Sequence, residues 1–363
     1  MNTGKKLLWR SLYVCFGINF LLLLLSIVAP YLNPKYFWPP SFIKLFFFIW
    51  FFLHGAFLLF FIFKRKYVVM CIAFVGLLCT IPALSKLYAF HPLTHNTSHE
   101  HQLRIMTYNV MGFGWYAKKK DAFAILKNIR EQHPDIICLQ EYLARYDDKF
   151  KIMDTLIHRY GYKYYQEHTV VKSGKNYYFG EAVFSKIPLN NYKGIPFHNS
   201  LTNGAFYVDV PWGKDTVRLI NVHFQSFSLK PREYNWEDTS SIGKLSRFQL
   251  LKISLYKMRK AFRKKSFQTD EVRKIVDASP FPVILCGDFN DTPLSYTYSK
   301  LTETLEDAFL ATNNGLGTTY AGNLPYLRID YILHDKKLKA TYTHVRGKFA
   351  SDHYPLLCDF QMK

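Results

Sequence analysis

A layered α/β domain carried behind three membrane-spanning helices is the architecture this sequence predicts, on three observations. Three apolar stretches of about 20 residues, none holding an acid, open the chain, and that is the length needed to cross a hydrocarbon core. Past residue 102, a strand pattern, a helical pattern and a second strand pattern follow one another closely. Several short apolar runs then end in a polar or charged side chain, and such ends cluster when strands pack side by side.

The predicted spans are roughly Leu12–Tyr31, Ile43–Phe63 and Tyr67–Tyr88. A cleaved signal peptide would account for the first, because Lys5, Lys6 and Arg10 precede an apolar run, but not for the other two. Lys64-Arg65-Lys66 separates the second span from the third, whereas the first connection holds only Lys35, with Lys44 at the edge of the next span. The positive-inside rule therefore predicts a cytoplasmic N-terminus and a cytoplasmic 64–66 turn. An odd number of spans then leaves the C-terminal domain outside the cytoplasm, in a multi-pass protein of the cell membrane. Tyr31, Tyr36, Trp38, Tyr67 and Tyr88 fit interfacial aromatic belts. The expected partition is a membrane domain over 1–90, a linker over 91–102 and a soluble domain over 103–363.

The linker is polar, and its histidines, His91, His95, His99 and His101, suit either a solvated tether or a metal site. Asn96-Thr97-Ser98 is a formal glycosylation sequon, meaningful only in a secretory pathway that glycosylates. Cys15, Cys71 and Cys79 lie in apolar runs and Cys138, Cys286 and Cys358 in short β-like segments, without metal-type spacing. All six read as buried small hydrophobes, with no disulfide framework.

In the soluble domain, Arg104–Val110 reads as a strand ending at Asn109, followed by a turn at Gly112-Phe113-Gly114. Asp121–Gln132 has helical periodicity through Phe123, Leu126 and Ile129, with Pro134 past its end. Asp135–Leu139 is a continuous apolar run that ends in Gln140-Glu141. Gly180–Ser185 and Asp215–Phe224 read as further strands, the second delivering Asn221 and His223. Val283–Cys286 runs into Gly287-Asp288-Phe289-Asn290, Asp330 sits in Arg328–Leu333, and Asp352-His353 precede Leu356–Cys358.

A single Asn or Asp after a strand is ordinarily a turn former or a helix cap. Glu141 and His223 are not favoured turn residues, and the same chemistry recurs at five strand ends. A buried strand ending in charge is costly unless the charge has a task such as holding a metal. The repetition therefore points to one shared site.

These segments carry TYNV at Thr107–Val110, LQE at Leu139–Glu141, NVHF at Asn221–Phe224, GDFN at Gly287–Asn290, RIDYIL at Arg328–Leu333 and SDHYP at Ser351–Pro355. In that order they resemble the endonuclease/exonuclease/phosphatase superfamily, over essentially all of residues 103–361. The resemblance implies a four-layer α/β sandwich, two mostly antiparallel sheets flanked by helices, with the site at one rim. It implies that Glu141 is the principal Mg²⁺ or Mn²⁺ ligand, with Asn109 beside the metal and Asp352 completing the shell. Asp288 would orient or deprotonate the attacking water, and Asn290 would hold the phosphate or that water. His353 would contact the phosphoryl oxygen with Asp330 fixing its tautomer, and His223 would be a second donor or the general acid.

The chemistry of the residue types is compatible with those roles. Mg²⁺ prefers carboxylate and carbonyl oxygens and keeps waters, which suits a sparse Asn/Glu/Asp set and argues against zinc. Two departures stand out. Met111 occupies a position where the apurinic-endonuclease branch carries an acid, which weakens a DNA-repair reading, and Glu181 has no role that the pattern assigns.

The formal net charge is +20; nine of the 47 Lys/Arg and none of the 27 Asp/Glu fall in residues 1–90. The soluble part is therefore basic as well, which suits an anionic partner. No acid occurs between Thr239 and Thr269, while Lys244, Arg247, Lys252, Lys257, Arg259, Lys260, Arg263, Lys264 and Lys265 are positive and apolar residues recur at helical spacing. This is a basic amphipathic helix: either an ordinary domain helix with a solvated face, or a surface for phosphate backbone or anionic lipid.

Three functions follow as expectations. The first is a membrane-anchored, Mg²⁺- or Mn²⁺-dependent phosphodiesterase or phosphatase acting on a lipid-linked or headgroup phosphate. The second is a membrane-tethered nuclease on DNA or RNA, and the third a non-catalytic phosphate-binding module. No protein partner is predicted.

Overall fold

A computed structural model describes residues 3–91, 102–114, 119–145, 151–173, 177–197, 200, 202–227, 246–322, 327–345 and 351–363. His95, the Asn96 sequon, His99 and His101 in the linker lie outside the described residues, as does Lys244.

Three helical segments, Thr3–Tyr31, Pro39–Phe63 and Tyr67–Leu87, are long and apolar enough to cross a membrane. They are tied together by one polar side chain. His54 is fully buried, with Nδ1 2.9 Å from Asn19 Oδ1 and Nε2 3.1 Å from Ala73 O. Polar contacts of this kind act as glue where lipid supplies no hydrophobic drive between helices. Cys15, Cys71 and Cys79 differ from expectation: they are exposed on the outer faces of these helices, which need no buried position in an apolar solvent.

The soluble domain holds two six-stranded sheets. The first is built from β2 (Leu103–Asn109), β3 (Ile136–Arg145), β4 (Tyr164–Ser173), β5 (Tyr177–Ser185), β13 (Leu338–Val345) and β14 (Leu356–Met362), in the order β13-β14-β2-β3-β5-β4. The second holds β6 (Asn190–Ile195), β7 (Ala205–Trp212), β8 (Asp215–His223), β9 (Val283–Asp288), β10 (Glu306–Asp307) and β12 (Asp330–His334), in the order β10-β12-β9-β8-β7-β6. One central pair in each sheet is parallel, β2 with β3 and β8 with β9, and the other pairs are antiparallel.

The alternation of side chains along each strand sorts the core into three layers. Ile105, Cys138, Leu219, Ile284, Cys286 and Cys358 pack between the sheets. Met106, Ile137 and Leu139 face Ile125, Leu126 and Ile129 of the helix Lys119–Gln132. Ile220, Leu285 and Tyr331 face Val272 and Val276 of the long helix Arg247–Asp277. Helix, sheet, sheet, helix is the four-layer sandwich.

The membrane domain docks on this sandwich. Leu294, from the loop after β9, is buried among Leu23, Phe47 and Ala83 of the three apolar helices. The Nζ of Lys44, at the start of the second of those helices, pairs with Asp291. Asn33 Nδ2 donates to Tyr296 Oη at 3.1 Å, and the Arg328 guanidinium to Lys86 O at 2.9 Å. The chain then passes into β1 (Ala89–Phe90), which pairs antiparallel with β11 (Asn314–Gly315) of the soluble domain, so residues 89–90 belong with the sandwich.

Candidate active site

Asp288 ends β9 beside His223 of β8 and opposite Asp330 of β12, because the registers place His223 and Asp330 directly across from it. Gly287 makes that crossing possible. Its φ is +147°, and a Cβ there would lie 1.9 Å from the Val222 carbonyl oxygen. From the other sheet come Asn109, at the end of β2, and Glu141. The apolar run from Asp135 does not stop at Glu141, as its polar end suggests; β3 continues to Arg145 across a register shift between Leu139 and Tyr142. Glu141 takes that irregularity with φ +50°, a left-handed conformation that costs a non-glycine residue about 1–2 kcal/mol. Bulges of this kind re-aim a side chain at a rim.

The hub is the Asp288 carboxylate, which is buried. Its Oδ2 accepts from Asn109 Nδ2 and Asn290 Nδ2, both at 3.1 Å, and its Oδ1 accepts from the Asn290 backbone N–H at 2.7 Å. Asn109 Nδ2 also donates to Glu141 Oε1 at 3.3 Å, while its Oδ1 accepts from the Met111 N–H at 3.1 Å. Asn109 thus links the two carboxylates across the sheets through its nitrogen. Asn290, also at φ +50°, reaches Phe224 O at 3.0 Å.

Two imidazoles face Asp288 Oδ2 at 3.7 Å, His223 Nε2 and His353 Nε2. Asp330 Oδ2 accepts from His353 Nδ1 at 2.9 Å, which directs Nε2 toward Asp288. Burial pushes the His353 imidazole down, but Asp330 and then Asp288 outweigh it and bring it up to about 10. Burial also pushes the Asp330 carboxyl up against the lowering effect of His353, so the proton of this pair sits on the imidazole. Asp288, Asp330 and His353 offer atoms within 4.8 Å of one another, a spacing that a cation accepts. With Nδ1 committed to Asp330 and the ring cationic, the trio is better suited to holding a proton.

Glu181 finds its place here. Its Oε1 accepts from the Gly204 N–H at 3.1 Å and stands 3.7 Å from His223 Nδ1, an ion-pair distance beyond hydrogen bonding. Burial lowers the His223 imidazole, but Glu181, Asp288 and Glu141 raise it to about 9. Both His223 ring nitrogens are buried without a hydrogen-bond partner. A buried polar group left in that state marks a place where a ligand or water completes the shell.

Asn109, Glu141, His223, Asp288, Asn290, Asp330 and His353 therefore converge at one rim. Asp352 is half-buried beside His353 and adds to the field that raises it, while its carbonyl accepts from the Ala321 N–H at 2.8 Å. Asn221 points elsewhere. It accepts from Gln140 Nε2 at 2.7 Å and donates to Leu139 O and Ala182 O, pinning one sheet to the other. Glu181 carries a sequence signal of its own, a lone acid inside the apolar run GEAVFS.

Residues 106–353 match the model of the Endonuclease/Exonuclease/phosphatase family, and residues 5–87 match a domain of unknown function (DUF8431). No curated protein matches the chain. Among solved structures, the human Nocturnin catalytic domain with bound sulfate is similar with a TM-score of 0.54 and 21% identity, covering 74% of this chain and 96% of that one. A humanized D. rerio TDP2 gives 0.51 and 14%, covering 72% and 100%. D. rerio TDP2 complexed with a single-strand DNA product gives 0.51 and 16%, with the same coverage. At these identities the likeness is one of fold.

Proposed function

The chain belongs to the Endonuclease/Exonuclease/phosphatase family, and on that premise we propose that it hydrolyses phosphoester bonds at the rim around Asp288. The observation that carries the reading is the pair of buried imidazoles facing one carboxylate oxygen, each with its own acid behind it. Asp288, held by two amides and a backbone N–H, orients the attacking water and takes its proton as the new P–O bond forms. The His353 imidazolium, fixed by Asp330, donates from Nε2 to a non-bridging phosphoryl oxygen. His223, charged through Glu181, gives its proton to the leaving oxygen as the old P–O bond breaks. Asn290, whose amide hydrogens go to Asp288 and the Phe224 carbonyl, holds the attacking water through its Oδ1.

The donor set at Glu141 fits a hard divalent cation, because it is a half-buried carboxylate beside an amide, without sulfur. Glu141 and Asp352 would hold Mg²⁺ or Mn²⁺, with Asn109 joining once its amide turns its oxygen outward. When bound, such an ion neutralises charge on the phosphoryl oxygens.

The substrate we favour is a lipid-linked or headgroup phosphate. The loop that follows catalytic Asp288 and Asn290 places Leu294 among the apolar helices and Asp291 on Lys44, so the catalytic turn and the membrane domain share one loop. The charge asymmetry of the flanks supports a cytoplasmic N-terminus and a soluble domain on the opposite side. A nuclease is the second reading. The net charge of +20 favours it, and a structure of similar fold is a TDP2 complexed with a single-strand DNA product.

The test uses the full chain in lipid nanodiscs with Mg²⁺, offered phospholipid and sphingomyelin or plasmid and single-stranded DNA. Phosphoester product from lipid alone supports the first reading, and DNA cleavage alone replaces it with the second. If neither is cut, and Glu141→Ala leaves phosphate binding unchanged, the chain is a binding module.

A further inference from the structure

The long helix Arg247–Asp277 presents an outward stripe that the catalytic rim does not use. Phe248, Lys252, Tyr256, Lys260, Arg263 and Phe267 follow one another at three- and four-residue steps, which puts them on one face. All six are exposed, Phe248 and Tyr256 each at 64%. Helices bury their apolar side chains against the core; this one does so with Met258, Phe262, Val272 and Val276, and still leaves three aromatic rings outside. Rings interleaved with cations are the composition of a surface that lies in the headgroup layer of a bilayer, where each ring spans the apolar boundary and each cation meets phosphate.

A groove of about 590 Å³ runs between this stripe and Pro196-Phe197, walled by Tyr256, Arg259, Lys260, Arg263 and Phe267. Among the described residues its one acid is Glu271, which pairs with Lys274 at 2.7 Å. Lys264, also at the groove, is held below its ordinary value by partial burial and then by the charge of Lys260, a repulsion that a bound anion would relieve. The groove adjoins the membrane domain. Lys35, in the connection between the first two apolar helices, stands 4.7 Å from the Phe267 ring, and Lys44 stands 5.8 Å from the Phe262 ring. Nearby Tyr36 is 80% exposed, as suits an aromatic at the membrane–water boundary.

We propose that this stripe and groove bind the headgroups of anionic phospholipids in the same bilayer that holds the three spans. Nucleic acid would match the cations equally well. The rings on the stripe and the continuity with the Lys35–Tyr36 connection favour lipid. The proposal does not depend on the hydrolase reading, and its readout does not use catalysis.

The experiment places p-benzoylphenylalanine at Tyr256 of the full chain, in nanodiscs of phosphatidylcholine alone or mixed with phosphatidylglycerol. After irradiation, adducts are weighed by mass spectrometry. We expect a phosphatidylglycerol adduct that exceeds its share of the lipid. Three cations near an anionic surface together contribute about a hundredfold in affinity. The variant Arg259→Gln, Lys260→Gln, Arg263→Gln, whose changed residues are all exposed, should therefore lose the preference while keeping its soluble-domain melting temperature. No lipid adduct in either disc, or adducts in proportion to composition, would overturn the proposal. So would tight binding of a short oligonucleotide in phosphatidylcholine discs that the same triple variant abolishes, if lipid adducts stay absent.

Discussion

Asp291 is the most exacting place to test the link between the membrane domain and the loop that carries Asp288 and Asn290. It follows Asn290, is 5% exposed, and carries a buried ammonium on each oxygen: Lys44 on Oδ1 and Lys265 on Oδ2 at 3.3 Å. Lys265 also donates to the Asn290 carbonyl at 2.6 Å, so the same cluster holds the strained Asn290 backbone. Burial pushes the Asp291 carboxyl up, but Lys265 and Lys44 overcome it and keep it below its ordinary value. A depressed carboxylate stabilises the fold above the unfolded-state pKa and loses that contribution as pH falls through the folded one, so the cluster is intact at neutral pH. Removing one partner of a buried pair costs about 3–5 kcal/mol, because the other charge is left uncompensated. Asp291→Asn belongs at the upper end, since two ammonium groups then face a neutral amide. Lys44→Met belongs at the lower end, since Lys265 keeps Oδ2. The double variant should cost less than the sum by about 1–3 kcal/mol. Urea unfolding of the soluble domain in the full chain, held in detergent and followed by near-ultraviolet circular dichroism, measures all three. Costs within about 0.5 kcal/mol of wild type, as for an ordinary surface change, or costs that simply add, would refute the reasoning.

Activity should survive to alkaline pH, because the imidazolium forms of His223 and His353 persist to about 9 and about 10. The sign is that of a raised group, fully protonated below 6.5 and lost as pH rises through the higher value, so a kcat/KM profile that falls near 6.5 would count against both assignments. Glu181→Gln removes the largest raising influence on His223 and should move the alkaline limb of the profile down while costing about 10²–10⁴ in kcat, the range for a general acid. A kcat loss without a moved limb would make Glu181 merely structural. Glu141→Gln and chelation should each abolish turnover and leave the melting temperature within a few degrees. Calorimetry should show Mn²⁺ binding lost in the variant, and unchanged binding would place the ion elsewhere.

The strand ends were legible in sequence because each breaks a rule of local chemistry. An apolar run such as Val283–Cys286 is easily placed in a sheet, and a carboxylate at its end stands out against it. The convergence of Asp288, His223 and Asp330 then needs only neighbouring strands in register. Asn221 misleads by the same logic, because alternation puts it on the inner face, where sheet-to-sheet hydrogen bonds replace a site. Glu181 gave a signal without a meaning: its partner His223 is 42 residues away in sequence and on the other sheet. Lys44 was hidden more thoroughly. A lysine at the edge of an apolar span ordinarily snorkels to the headgroups, and no pattern in the chain shows that it pairs with an acid 247 residues on.

That pairing bears on why the site and the spans occur in one chain. Contacts with the soluble domain come from Asn33 and Lys35 between the first two apolar helices, from Lys44 at the start of the second and from Lys86 at the end of the third. In an up-down-up arrangement these positions share one end, and Lys5, Lys6, Arg10 and the 64–66 turn share the other. The more basic end is then the one away from the sandwich, and on that asymmetry the proposed placement outside the cytoplasm rests. A tether alone would only raise the local concentration of site and substrate. A loop that runs from Asp288 through Asp291 to Leu294 does more, because it ties the rim directly to the apolar helices. Leu294→Asp separates the two cases, with a flexible insert between Phe90 and Leu103 as the control that both should tolerate. A simple tether would tolerate the insert and keep its activity without Leu294, whereas this docked arrangement should tolerate the insert and fail with Leu294→Asp.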